Sequence, residues 1–393
     1  MERVVVIGAS LAGLRAAQAV RAAGHESSLV VVGDERRLPY TRPPLSKQLL
    51  AGEQTSDDCA FPGTDAVAGE WRLGSPAVAV DRERKSVALA AGDTIPYDRL
   101  IVATGSRARA WPGDGAALRG VHTLRAVEDA LALRAALTAG PQRLAIVGAG
   151  FIGCEVAATT RKRGIDVTLI DVAPQPMVPL GPELGARCAE LHMGHGVDLR
   201  LGTGVTGLRG TDAVEGVDLA DGTTVDADLV LVALGALPNT EWLSAAGIAL
   251  DERGGIVCDA TLTSVSDADV LAAGDVVSWP HPLADGAAVR VEHWTTAAEH
   301  GGVAGRNAVV DDPAERAAHV HPPYFWSDQY DIKIQAVGFP ALGTRLEIVD
   351  EDGPRLVAEA RDASGRLVGA ITFNNAKRLA AYRRQLATEA VAA

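Results

Sequence analysis

The chain has 393 residues, 47% hydrophobic and 22% charged, which suits two or three ordinary globular domains with a large core. Its 37 basic and 50 acidic residues give a formal charge of -13, which argues against a general nucleic-acid binder. No apolar run approaches the ~18 residues of a membrane-crossing helix, Met1-Glu2-Arg3 is not a targeting leader, and the expected location is cytoplasmic.

The chain opens on Val4-Val5-Val6-Ile7, four β-branched residues that read as a strand buried on both faces. Gly8, Ser10 and Gly13 follow at the spacing of a dinucleotide-binding turn, and a helix is expected from Leu11 to a stop at Gly24. Gly8 allows the tight turn, and Gly13 lets the helix lie close on the strand. Ser10 keeps the middle position small, so that pyrophosphate can reach the N–H groups at Leu11 and Ala12. A second strand, Ser28 to Val32, ends at Gly33-Asp34-Glu35, where Asp34 or Glu35 can take ribose hydroxyls. Pro43 and Pro44 then stiffen a segment carrying Arg42 and Lys47, cations placed for pyrophosphate and ring contacts, with Ser46 expected to cap a short helix. Trp71 to Asp98 reads as a small antiparallel insert, and Arg99 to Gly105 as a buried strand ending in a glycine turn.

The pattern returns 140 residues further on, as Leu144-Ala145-Ile146-Val147-Gly148-Ala149-Gly150-Phe151-Ile152-Gly153, with a helix that again stops at a glycine, Gly164. The strand Asp166 to Ile170 ends on Asp171, about 20 residues after the turn, as a ribose contact requires. Two such units imply two dinucleotides. Asp171 followed by Val172-Ala173-Pro174 offers a carboxylate and no cation, which favours NADH over NADPH. Leu229 to Gly235 mirrors the strand that ends at Gly105. Pro112-Gly113 and Pro238-Asn239 mark crossings between domains. After His319, strands and a helix from about Lys377 read as a small α+β unit. The expected division is residues 1–112 and 238–318 for one nucleotide domain, 113–237 for the other, and 319–393 for the last.

The four cysteines, Cys59, Cys154, Cys188 and Cys258, include no C-x-x-C pair, and Cys154 reads as a small core residue. The histidines form no metal platform: Met193-Gly194 between His192 and His195 is a poor helical platform, and His319 and His321 stand beside Pro322-Pro323. No metal is assigned.

The stretch Tyr40-Thr41-Arg42-Pro43-Pro44-Leu45-Ser46-Lys47 resembles a segment of the FAD-dependent ferredoxin reductases. These flavoproteins feed Rieske dioxygenases and haem monooxygenases and are related to apoptosis-inducing factor. Further landmarks are Ile101-Val102-Ala103-Thr104-Gly105-Ser106, Leu271-Ala272-Ala273-Gly274-Asp275-Val276 and Phe325-Trp326-Ser327-Asp328-Gln329-Tyr330. The resemblance covers nearly the whole chain and implies a glutathione-reductase-like α/β fold. An FAD domain is interrupted by an NAD domain and followed by an interface domain. It implies FAD at the first turn and exchangeable NAD(H) at the second. Lys47 is implied to lie near flavin N5, and Glu155 near Lys47 and the nicotinamide amide, making these two the catalytic candidates. Arg125, Gly274 and Asp275 are implied as flavin contacts, with Val78, Thr104, Gly105 and Gly235 as further cofactor contacts. Glu292-His293-Trp294 and Trp326 are implied to stand beside the flavin.

The activity so implied is NADH-dependent reduction of FAD and delivery of electrons to a transiently bound 2Fe-2S ferredoxin, by a monomer or weak dimer. An NADH oxidase, peroxidase or disulfide reductase would need a redox cysteine after the first ribose acid, where Pro43 to Lys47 has none. A signalling flavoprotein like apoptosis-inducing factor is disfavoured by the missing leader and the short acidic C-terminal unit. Arg306, Lys333, Lys377, Arg378, Arg383 and Arg384 are candidate docking cations.

Overall fold

A computed structural model describes residues 3–64 and 67–392. Arg3–Ile7 lies inside a five-stranded, wholly parallel sheet. Its order is Val270–Ala272, Arg99–Val102, Arg3–Ile7, Ser28–Val32 and Glu70–Arg72. Val4, Val5 and Val6 have no exposed surface, because helices cover both faces of a parallel sheet. Trp71 therefore belongs to the edge of this sheet. The antiparallel insert is shorter than the sequence suggested and comprises Ala77–Asp81, Ser86–Leu89 and Thr94–Pro96.

The second glycine turn builds a second parallel sheet, ordered Asp198–Leu201, Asp166–Asp171, Arg143–Val147, Leu229–Val232 and Val121–His122. It carries its own three-stranded antiparallel insert, Val205–Gly210, Val214–Leu219 and Thr224–Asp226, so the repeat extends beyond the nucleotide turn. The two crossings between the sheets pair with one another. Ser106–Ala108 runs antiparallel to Ala236–Pro238, the Thr104 hydroxyl donates to the Asn239 carbonyl at 2.7 Å, and the Asn239 amide donates back to the Thr104 carbonyl at 3.0 Å.

Helix Leu11–Ala22 is gripped by helix Trp294–Ala308, whose sequence supplies Gly301 and Gly305 at the contact. A Cβ on either glycine would stand 2.3 Å from a backbone carbonyl, that of Ala12 or Ala16 respectively. Only glycine permits this approach, so the helix that starts at the first turn is fixed along its length.

The last unit is an antiparallel sheet ordered Tyr324–Gln329, Ile332–Gly338, Leu367–Phe373, Arg355–Arg361 and Arg345–Asp352. One face carries helix Ala376–Ala392, through Leu379, Tyr382 and Leu386. The other face, with Ile334, Ala336, Ile371 and Phe373, joins the core of the second nucleotide unit. The period-2 alternation of strand Tyr324–Gln329 thus sends successive residues to two different neighbours.

Helix Pro182–Gly194 continues through Met193-Gly194, so His192 is helical and fully buried, in contrast to the sequence expectation for that dipeptide. Burial holds the His192 and His281 imidazoles down at about 4, and His300 well below its usual range. These rings are neutral in the fold and bind protons near 6.5 when released by unfolding, so acid favours the unfolded chain. The thermal midpoint should be flat above about pH 7 and fall steadily as pH drops from 6.5 towards 4. Scanning calorimetry across that range checks it, and a flat midpoint down to pH 4.5 would contradict the assignment.

Candidate active site

Glu155 is the fifth residue of helix Phe151–Lys162, just past its first turn, 4% exposed. Its Oε2 accepts from Lys47 Nζ at 2.7 Å and Ser46 Oγ at 2.5 Å, and its Oε1 accepts from Ser327 Oγ at 2.8 Å. Three parts of the chain far apart in sequence converge on one carboxylate. A buried ion pair is tolerated only where further hydrogen bonds offset the lost hydration, and the two serines supply them.

Local sequence explains how Lys47 arrives there. Pro43 and Pro44 begin a single 3-10 turn, Pro43–Ser46, and Lys47 bends the chain into the short helix Gln48–Ala51. Ser46 does not cap that helix. Its carbonyl accepts from Thr159 Oγ1 at 2.8 Å and its hydroxyl is spent on Glu155, because burial makes the carboxylate the stronger acceptor.

A second charged chain lies at the carboxyl ends of the first sheet. Asp275 is buried and accepts from Ser106 Oγ at 2.7 Å and Arg125 Nη2 at 2.6 Å. Arg42 donates to the Arg125 carbonyl at 2.7 Å and to Glu35 at 2.5 Å, and Glu35 also accepts from Tyr40. Glu35 is thus engaged by protein, while Asp34 beside it is exposed. Arg290 reaches the Asp275 carbonyl at 3.1 Å and pairs with Glu292.

The glycines explain the two turns. At Gly8 (φ +118°) a Cβ would lie 2.0 Å from the Ala103 carbonyl, and at Gly13 it would lie 1.8 Å from the Gly8 carbonyl. Gly148 (φ +112°) and Gly153 repeat this at 2.3 Å from Ala233 and 2.0 Å from Gly148. Gly150 differs, because a Cβ there would meet nothing within 4 Å. Ser10, at the matching place in the first turn, makes no capping hydrogen bond with its side chain and is followed directly by the helical Leu11 and Ala12. Gly105, Gly235 and Gly274 all take positive φ, beside the same openings. Asp171 accepts from the Ala149 N–H at 2.6 Å and the Ala173 N–H at 2.8 Å, and each oxygen retains a lone pair. Ile152, Val172, Val178 and Leu234 leave apolar surface exposed around the second turn. Val78 is half exposed at a register shift in the insert.

Aromatic rings line the gap between the units. Phe325 stands 4.8 Å from Phe151 and 4.9 Å from His293, whose imidazole burial lowers to about 4. On the opposite face of the same strand, Trp326 lies 6.1 Å from Trp294 and 6.0 Å from Tyr324. Nδ1 of His293 and Nε1 of Trp294 are buried without a partner. Unpaired donors, open turns and flanking rings fit two planar, phosphate-bearing groups at these positions.

All four cysteines are buried and unpaired. Burial raises every thiol, that of Cys188 to about 12. Among the described residues no group of His, Cys, Asp or Glu has the arrangement of a metal site, and no helix is long and apolar enough to cross a membrane.

The sequence pattern of the pyridine nucleotide-disulphide oxidoreductases matches residues 2–301, and that of the reductase C-terminal domain matches 324–393. The chain belongs to this family. The anthranilate 1,2-dioxygenase system ferredoxin–NAD(+) reductase component of Burkholderia cepacia is 38% identical, across 98% of this chain and 94% of its own. Putidaredoxin reductase of Pseudomonas putida is also 38% identical, across 86% of this chain and 80% of its own. The crystal structure of a covalent putidaredoxin reductase–putidaredoxin complex superposes with a TM-score of 0.91 at 32% identity, covering 99% of this chain and 93% of that one. A water-forming NADH oxidase from Lactobacillus brevis, 20% identical with a TM-score of 0.88, shares the fold. The protein is thus an FAD- and NAD(H)-dependent oxidoreductase of the ferredoxin–NAD(+) reductase type.

The glycine geometry separates folding from cofactor binding. Gly153→Ala should cost about 1–3 kcal/mol, because the helix must move off the strand. Gly150→Ala should leave the thermal midpoint and FAD content unchanged but raise the KM for NADH several-fold, since the methyl group enters the opening. Steady-state kinetics beside thermal unfolding distinguishes the two, and a Gly150→Ala protein with native KM would remove the second turn from the NADH site.

Proposed function

We propose that the protein oxidises NADH and delivers the electrons through FAD to a 2Fe-2S ferredoxin that serves an oxygenase. In this reading it binds the ferredoxin transiently and works as a cytoplasmic monomer or weak dimer. The observation that carries the reading is the Lys47–Glu155 pair, where a thiol-dependent enzyme would need sulfur. The nearby cysteines are buried with raised thiols, which supports electron transfer rather than peroxide or disulfide chemistry.

FAD supplies acceptance of two electrons from NADH and their release one at a time. The first turn, with Ser10, Leu11 and Ala12, would hold its pyrophosphate. Asp34, Glu35, Arg42, Arg125 and Asp275 would define the rest of that site. Gly148, Gly150 and Phe151 would receive the pyrophosphate of NADH, and the spare lone pairs of Asp171 would accept from the ribose hydroxyls. Lys47 places a positive charge, 11% exposed, in a water-poor gap where charge interactions are strong, and Glu155 orients it. Phe151, Phe325 and His293 exclude water from the same gap.

Lys47→Met should therefore slow flavin reduction by NADH about 10- to 1,000-fold with FAD still bound. Stopped-flow absorbance gives the rate, and an undiminished rate would remove Lys47 from the chemistry.

Acceptor docking is assigned to the face bearing Trp326. Lys333, opposite Asp328 on the neighbouring strand, shares that face, and Arg383 lies over the Tyr324 ring while pairing with Glu299. Arg378 stands beside Glu359 and Tyr382, so reversing its charge would disturb an internal network. Lys333 and the exposed Arg384 are the sites that isolate docking. The overall charge of -13 repels an acidic ferredoxin, so local cations must guide it. Ferredoxin-dependent cytochrome c reduction should fall as salt rises. Lys333→Glu with Arg384→Glu should raise the KM for ferredoxin and leave NADH–ferricyanide turnover intact. Equal loss in both assays would reject this docking face.

A further inference from the structure

The residues behind Glu155 form a buried hydrogen-bond chain that runs in one direction. Ser327 has no exposed surface, and its Oγ lies 2.8 Å from Glu155 Oε1. Gln329 Nε2 stands 3.2 Å from the same Oγ. An amide N–H2 can only donate, so it fills a lone pair of the hydroxyl and leaves the Ser327 proton to point at Glu155. Gln329 is itself oriented, because its Oε1 lies 3.0 Å from Nε2 of His192. The contact requires the tautomer with the proton on Nε2, which leaves Nδ1 as an acceptor, and Tyr330 Oη stands 3.3 Å from it. His192 stays neutral because burial lowers it to about 4. Each member donates to the next, from Tyr330 through His192, Gln329 and Ser327 to Glu155.

The chain ends on an oxygen with a single donor. Oε2 of Glu155 has Lys47 and Ser46, whereas Oε1 has only Ser327 among the described residues. Phe325 and Trp326, beside Ser327 on the strand, pack against rings on both faces and fix the backbone from which the hydroxyl reaches.

We infer that Ser327 is a positioning residue for NADH oxidation, holding the Glu155 carboxylate at the angle that keeps Lys47 in place, and that Gln329 and His192 fix the direction of its proton. This rests on the role given to Lys47 in the proposed function. The C-terminal unit thereby takes part in the first half of the reaction, NADH to flavin, and not only in acceptor docking. Without the Ser327 hydroxyl, Oε1 is an unsatisfied buried acceptor. The carboxylate turns to find water, and the lysine loses its fixed partner.

The test uses the FAD-loaded protein and two readouts. In stopped flow at saturating NADH, Ser327→Ala should slow flavin reduction about tenfold with little change in the KM for NADH, as loss of one hydrogen bond to a charged group allows. Without NADH, acylation of the Lys47 amine, read by mass spectrometry, should speed up several-fold while the other four lysines keep their rates. Ser327→Thr, which keeps the hydroxyl, should restore both values. Gln329→Met, which frees the hydroxyl to rotate, should fall between wild type and Ser327→Ala. Wild-type reduction and labelling in Ser327→Ala would overturn the inference. So would faster labelling at every lysine with no rescue by threonine, which would mark a general loosening of the fold. Neither readout involves ferredoxin, so failure of the proposed acceptor leaves this test intact. If Lys47→Met proves harmless, Lys47 labelling still decides whether Ser327 positions the pair.

Discussion

Burying one carboxylate constrains much of this molecule. Glu155 is 4% exposed and takes donors on both oxygens, which no single element supplies. The proline-stiffened loop of the first nucleotide unit brings Ser46 and Lys47, and the C-terminal sheet brings Ser327. Satisfying Glu155 therefore fixes the relative placement of three units. Breaking it from one side leaves an uncompensated buried charge.

Close backbone contact gives this node a rigid base. The glycines at the two turns allow each helix to rest on its strand, and Gly301 and Gly305 bring a second helix against the first. The crossings at residues 104–108 and 236–239 interlock by strand pairing and reciprocal hydrogen bonds. These contacts tie the two nucleotide units together on either side of the gap.

The pleat of one strand in the C-terminal unit sends its side chains to two different neighbours. Odd-numbered residues Phe325, Ser327 and Gln329 face the second nucleotide unit, and even-numbered Tyr324 and Trp326 face helix Trp294–Ala308 and the cation-bearing side. The Ser327 contact to Glu155 and the Trp326 ring are therefore neighbours along the chain.

Much of the fold was legible in sequence. β-branched runs and glycine spacing follow from local backbone chemistry, so both turns and the paired units could be read directly. Positions governed by partners distant in the chain were not legible. Ser46 follows two prolines as a cap would, yet tertiary contact gives its hydroxyl to a carboxylate 109 residues away. The hydrogen-bond partners of Ser106, Asn239 and Gln329 were not legible, because they lie in distant groups opposite them. Trp71 joined the parallel sheet because an edge was open beside Ser28–Val32. By itself the sequence determined two dinucleotide units and the chemical character of their turns, since those depend on steric rules within about ten residues. Only the tertiary structure decided which donors satisfy Glu155 and which way they point, because a buried charge takes its partners from wherever the fold can bring them.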